Sequence, residues 1–146
     1  MKIAHSLILL ALLSALALGC GKKALPQPQD EREMFRWTGA KATAKSDCLS
    51  IDAQLVGNLR NVAGVVLELE AADTGEQCAN CPFLPVERKE FAIDNLSAQG
   101  KSGRITLDYC PTVEAPAYRW RLVGRNVYRT FPYQLTQVQT VVMPRK

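Results

Sequence analysis

Five cysteines carry most of the chemistry open to this 146-residue chain. Cys20 stands alone behind an apolar run, and Cys48, Cys78, Cys81 and Cys110 lie further on. Three chemistries fit the latter four. Two structural disulfides would join Cys48 to Cys110 and Cys78 to Cys81, or form the two crossed pairs, and closing the 48–110 loop would add roughly 2–4 kcal/mol. A Cys₄ zinc site would use all four thiolates; C-x₂-C is common ligand spacing, but Cys48 and Cys110 are split across the chain. A redox-active Cys78-Ala79-Asn80-Cys81 needs a low-pKa thiolate, which usually opens a helix in a βαβ unit, and no such unit is readable. One isolated cysteine plus an even set of four fits an exported chain in an oxidising compartment.

Other reactive constellations are missing from the sequence. His5 is the only histidine and lies in the apolar leader, so histidine triads and histidine metal sites are not expected in a processed chain. No P-loop, dinucleotide fingerprint or G-x-S-x-G motif occurs, and carboxylates fall singly rather than in a readable pair. A formal charge of +4 without a long Lys/Arg run gives no reason to expect nucleic acid. The expectation is a non-enzymatic protein with no cofactor beyond a covalent lipid.

That lipid is expected at Cys20. Lys2 supplies a positive start, Leu7 to Leu18 form an apolar run too short to span a bilayer, and Gly19 precedes the cysteine. The segment resembles a bacterial lipoprotein signal, with Ala17 where the usual pattern has leucine. The resemblance implies a helical signal peptide over 1–19, a diacylglyceryl group on the Cys20 sulfur, and cleavage that makes Cys20 the new N-terminus. Two or three acyl chains, at about 0.8 kcal/mol per buried CH₂, anchor stably. Gly21, where inner-membrane lipoproteins of enterobacteria usually carry aspartate, implies the outer membrane, facing the periplasm. Residues 20–33 then read as the lipidated terminus and a flexible linker, kept extended by Pro26 and Pro28 and solvated by its charges.

Beyond the linker the hydrophobic period is two. Leu49, Ile51, Ala53 and Leu55 alternate with polar residues, as do Leu67 and Leu69, Ile105, Leu107 and Tyr109, and Tyr118, Trp120 and Leu122. Turn signals at Gly57-Asn58, Asp73-Thr74-Gly75, Gly100 to Gly103 and Pro111 to Pro116 separate the runs. The pattern predicts an all-β domain over 34–144: a single seven-stranded antiparallel β-sandwich with strands near 34–43, 48–56, 64–72, 83–93, 103–110, 118–128 and 133–142.

The face Tyr118, Trp120, Leu122, Gly124, Asn126 resembles the sixth strand of fibronectin type III domains. In that family the tyrosine locks the corner before the strand, its hydroxyl bonding backbone upstream. Tyr118, Trp120 and Asn126 are therefore expected to be structural. The tryptophan often present on the second strand is absent here; Leu49 and Ile51 stand in its place, and Trp37 or Trp120 is available to fill the volume.

Strand reversal in this topology gathers all four body cysteines at one end of the sandwich, with Cys48 beside Cys110. It also puts Arg119, Arg121 and Arg125 on an outer face opposite Glu68 and Glu70. These residues form either a partner-binding strip or a ladder of cross-strand ion pairs, each contributing about 0.2–1 kcal/mol. Val66 and Val123 share that face, and Tyr128, Phe131 and Tyr133 could extend a contact patch. The resulting expectation is a membrane-anchored envelope lipoprotein that binds or assembles with another envelope protein. The alternatives are a thiol-redox or zinc-handling protein, with Cys48, Cys78, Cys81 and Cys110 as zinc ligands, and a structural spacer without a dedicated ligand. Oligomeric state is not readable.

Overall fold

The computed structural model describes residues 31–73, 81–93, 96–99 and 101–144. The expected signal peptide, Cys20, most of the linker and Cys78 lie outside the described residues. Among the described residues, a 3-10 turn, Glu31–Glu33, leads into nine strand segments, with a second 3-10 turn, Leu59–Asn61, between the second and third: β1 (Phe35–Lys45), β2 (Cys48–Gly57), β3 (Val62–Ala72), β4 (Glu87–Phe91), β5 (Ser97–Gln99), β6 (Ser102–Tyr109), β7 (Ala117–Asn126), β8 (Gln134–Leu135) and β9 (Gln139–Val142). They form two antiparallel sheets, one ordered β1-β2-β6-β5 and the other β4-β3-β7-β8, with β9 also on β7. The protein is an all-β sandwich.

The alternation seen in the sequence is the alternation of burial. Leu49, Ile51, Ala53 and Leu55 of β2, Leu67 and Leu69 of β3, Ile105 and Leu107 of β6 and Trp120 and Leu122 of β7 are all buried between the sheets. Trp120 takes the central volume and is fully buried, whereas Trp37 is half-buried at the seam between β1 and β8. Its indole N–H donates to the Gln134 carbonyl at 2.9 Å, and the Gln139 side-chain amide donates to the Ala40 carbonyl at 2.9 Å. These two bonds tie the β1 edge to the last strand and blunt two sheet edges at once.

Three strand expectations need correction. The fourth strand is only Glu87–Phe91, not 83–93. Pro82 and Pro85 cannot donate to a ladder, and residues 81–85 instead turn over the outer face of the second sheet. A separate edge strand, β5, pairs with the start of β6. The seventh strand is broken in two: at the break the Leu122 amide donates to the Thr136 hydroxyl (2.9 Å) rather than to a backbone carbonyl, while the Thr136 amide still reaches the Leu122 carbonyl (3.0 Å). A side-chain acceptor has replaced a ladder partner.

The sandwich therefore has two poles. At one, the chain enters at residues 31–34 and the β2–β3 and β7–β8 connections lie beside it. At the other sit the β1–β2 turn, the segment from residue 81 to 86 and the β6–β7 connection. Gly57, at φ +108°, closes the first pole; a Cβ there would lie 2.5 Å from the Met34 carbonyl oxygen, so only glycine fits.

Candidate functional site

The pole distant from the chain's entrance collects the reactive residues. The β2–β6 register pairs Leu49 with Tyr109, so the next step outwards sets Cys48 against Cys110. They form a disulfide with Cα atoms 4.0 Å apart. This is one of the expected pairings, and it consumes two of the four thiolates that a Cys₄ zinc site would need. Cys81 is disulfide-bonded as well. Among the described residues no cluster of His, Cys, Asp and Glu could hold a metal ion.

Beside the disulfide, Glu87 at the start of β4 organises the β6–β7 connection. Its carboxylate accepts from the Tyr109 hydroxyl, the Thr112 amide (3.0 Å) and the Thr112 hydroxyl (2.9 Å). Burial alone would raise the Glu87 carboxyl, but these hydrogen bonds outweigh it and hold it below its ordinary value. The reciprocal effect pushes Tyr109 up to about 12, first through the hydrogen bond to Glu87 and then through burial. The Tyr109 ring also meets Phe91 edge-on at 6.3 Å.

Tyr118 closes the same connection. Its hydroxyl donates to the Val113 carbonyl and accepts from the Ala115 amide at 3.1 Å. The ring is buried. Sequence reasoning expected this corner from the side-chain pattern of a single strand.

The arginine strip runs down from this pole on the outer face of β3 and β7. The register sets Glu70 against Arg119 and Glu68 against Arg121. Arg119 Nη1 lies 3.0 Å from Glu70, and Arg121 Nε lies 2.6 Å from Glu68. Glu68, with its side chain 8% exposed, also takes Arg88 of β4 at 3.0 Å, so one buried carboxylate bridges three strands. Arg125 is paired with Glu90. Arg119 further donates to the carbonyls of Cys81 (3.1 Å) and Pro82 (3.4 Å), and the Phe83 ring lies 4.7 Å from the Arg121 guanidinium and 5.8 Å from that of Arg119. Residues 81–83 thus lie across the strip. Val123 is buried and Val66 half-buried there.

Strand periodicity did not point to this cover, because Phe83 reaches the arginines through a proline-bounded segment that has none. Nor did it single out four aliphatic side chains of the same pole that are left exposed: Leu84, Val86, Val113 and Val142. Leu84 and Val86 follow Cys81 and Pro82, Val113 lies in the Glu87-bonded connection, and Val142 ends β9. The β6–β7 connection of this pole is held by a disulfide, a tyrosine corner and a carboxylate hub. Tyr128, Phe131 and Tyr133 follow β7 at the opposite pole, past Arg125 at the far end of the strip.

Asn126 also acts at the opposite pole. Its side-chain amide donates to the Glu33 carbonyl at 3.2 Å, and its oxygen accepts from the Tyr128 amide at 2.9 Å. Glu33 is the hub there: Asn61 donates to its carbonyl (2.9 Å) and carboxylate (2.7 Å), and Asn58 to its carboxylate (2.9 Å).

The class defined by this arrangement is an antiparallel β-sandwich with disulfide-braced loops at one end. The chain is similar to a solved structure of a DUF3823 family protein from Bacteroides ovatus, with a TM-score of 0.51 at 10% identity, over 74% of this chain and 54% of that one. It thus spans about half the length of that neighbour, and the likeness shows a shared fold alone. No family model and no curated protein matches the sequence.

Proposed function

We propose that this chain is an envelope lipoprotein whose sandwich, of fibronectin type III-like kind, serves as a non-enzymatic binding or assembly module. In this reading Cys20 carries the lipid, the linker expected over 20–33 is the tether, its end held in the 3-10 turn Glu31–Glu33, and the protein sits at the outer membrane facing the periplasm. The supporting observation is polarity. The chain enters at one pole, while the Cys48–Cys110 disulfide and the exposed Leu84, Val86, Val113 and Val142 lie at the other. An N-terminal anchor would present that braced apolar tip away from the bilayer. Fixed aliphatic side chains beside satisfied polar groups suit docking to another envelope protein, since little side-chain or loop entropy remains to be lost. The Tyr118 corner supports the fibronectin-like assignment.

The experiment joins two readouts in cells. A clickable palmitate analogue should label the wild-type chain, and Cys20→Ser should take none. A photo-crosslinking residue at Leu84 or Val113 should trap one discrete envelope protein, whereas the same probe at Lys41 on β1 should not. Label retained by Cys20→Ser refutes the anchor; identical crosslinks from all three positions refute the docking tip.

A further inference from the structure

The pole where the chain enters gathers exposed cations around a cleft. A cleft of about 720 Å³ opens there, with Met34, Leu59 and Leu96 as its apolar lining and Arg32, Arg60 and Lys101 as its cations. Glu31 is the acid among the lining residues, and Glu33 beside it is turned onto Asn58 and Asn61. Among the described residues no carboxylate is bonded to Arg60 or Lys101, both exposed. The β7–β8 connection adds an exposed Arg129 between Tyr128 and Phe131, whose rings meet at 5.9 Å. That connection lies against the first cluster, because the Val127 amide donates to the Asn61 carbonyl at 2.9 Å.

We infer that this pole is a docking surface for anionic phospholipid headgroups. The inference rests on the proposed lipid at Cys20. The segment 21–30 spans at most roughly 35 Å when fully extended, and it ends at Glu31 and Arg32, on the rim of the cleft. An anchored chain is therefore tethered to the bilayer at this pole. Charge complementarity favours anionic headgroups over neutral ones. Each lysine or arginine near such a surface contributes about 1 kcal/mol, or about fivefold in affinity. Tyr128, with its hydroxyl, has the amphipathic character of side chains that settle at headgroup depth. Lys22 and Lys23 at the start of the tether add to the same field. Docking would fix the sandwich upright and hold the disulfide pole at a set height.

The test uses the processed chain from residue 20 onwards with Cys20→Ser, which keeps every described residue but lacks the lipid. Cosedimentation with vesicles of phosphatidylglycerol should exceed that with phosphatidylcholine and should weaken as salt is raised. Arg60→Gln with Lys101→Gln should lower the affinity about 25-fold, two factors of about five, at an unchanged melting temperature. Lys41→Gln with Lys45→Gln, exposed on β1 towards the other pole, should change it little. Equal binding to the two vesicles, or the same loss from both double variants, overturns the docking surface. Displacement by soluble glycerol phosphate at the same phosphate concentration overturns the membrane assignment. None of these results depends on acylation, whereas failure of the anchor would show as unlabelled wild-type protein.

Discussion

Two regions of this molecule hold arginines in opposite states. On the outer face of β3 and β7, Arg88, Arg119, Arg121 and Arg125 are each paired with a carboxylate, and Phe83 lies over two of them. At the pole where the chain enters, Arg60, Lys101 and Arg129 have no such partner among the described residues. The first arrangement is set by register: a sheet brings facing residues to a fixed distance, and the sequence places acids on β3 opposite bases on β7. The second lies on short connections, where no ladder dictates a neighbour. Basic residues in a strand pattern are therefore a poor guide to a binding surface, whereas basic residues on connecting loops keep their charge available.

The two poles also differ in how they are held. The distant one is crosslinked by Cys48–Cys110. The other is held by three asparagine side chains around Glu33. Removing the covalent tie should have the largest effect. The closed loop spans a sequence separation of 62, for which chain-entropy reasoning gives about 4 kcal/mol. Cys48→Ala with Cys110→Ala should lose about that much in urea titration, and the loss should come with faster proteolysis at residues 110–116. A loss confined to the opposite pole would contradict the division drawn here.

The arginines sharpen the contrast at intermediate size. Arg121→Met leaves the buried Glu68 carboxylate with Arg88 alone, and the expected cost is about 2–3 kcal/mol, below that of a wholly orphaned buried charge. Arg60→Met removes an exposed charge without a partner and should stay within about 0.5 kcal/mol. Parallel chemical denaturation of the two variants checks this directly. Equal costs would mean that the strip is no more than a solvated surface.

Much of this architecture could be read in advance, and the reason is periodicity. The alternation in β2, β3, β6 and β7 identified the buried faces, and chain reversal then implied both the Glu68–Arg121 and Glu70–Arg119 neighbours and the approach of Cys48 to Cys110. Tyr118 was legible because a corner tyrosine has one geometry. What escaped was contact made by aperiodic chain. Phe83 crosses the strip from a segment bounded by prolines. Glu33 meets Asn58, Asn61 and Asn126 across three connections. The last strand breaks because the Thr136 hydroxyl substitutes for a carbonyl, a choice invisible to a count of apolar residues. The exposed aliphatic tip shares this origin: Leu84 and Val86 read as the start of a buried strand until the prolines beside them are given their weight.

A small expected effect belongs to the hydrogen bond that joins Tyr109 to Glu87, and it divides by pH. Glu87 is held below its ordinary value of 4.5, so its contribution is present above that pH and is lost as acid takes the solution through the lower, folded-state value. Tyr109 is raised from 10.0 to about 12, so its contribution is complete below pH 10 and is lost as the solution rises from there towards about 12. Tyr109→Phe removes the alkaline dependence and only part of the acid one, since Thr112 still bonds the Glu87 carboxylate. At neutral pH it should cost less than about 1 kcal/mol, because this hydrogen bond is only partly screened from water. The tyrosinate absorbance that develops in the wild type towards pH 12 should be smaller in the variant by one residue's worth. Glu87→Gln should keep that tyrosine but let it ionise at lower pH. If Glu87→Gln leaves the alkaline titration unchanged, the carboxylate does not govern Tyr109, and the β6–β7 connection owes its shape to the disulfide and the Tyr118 corner alone.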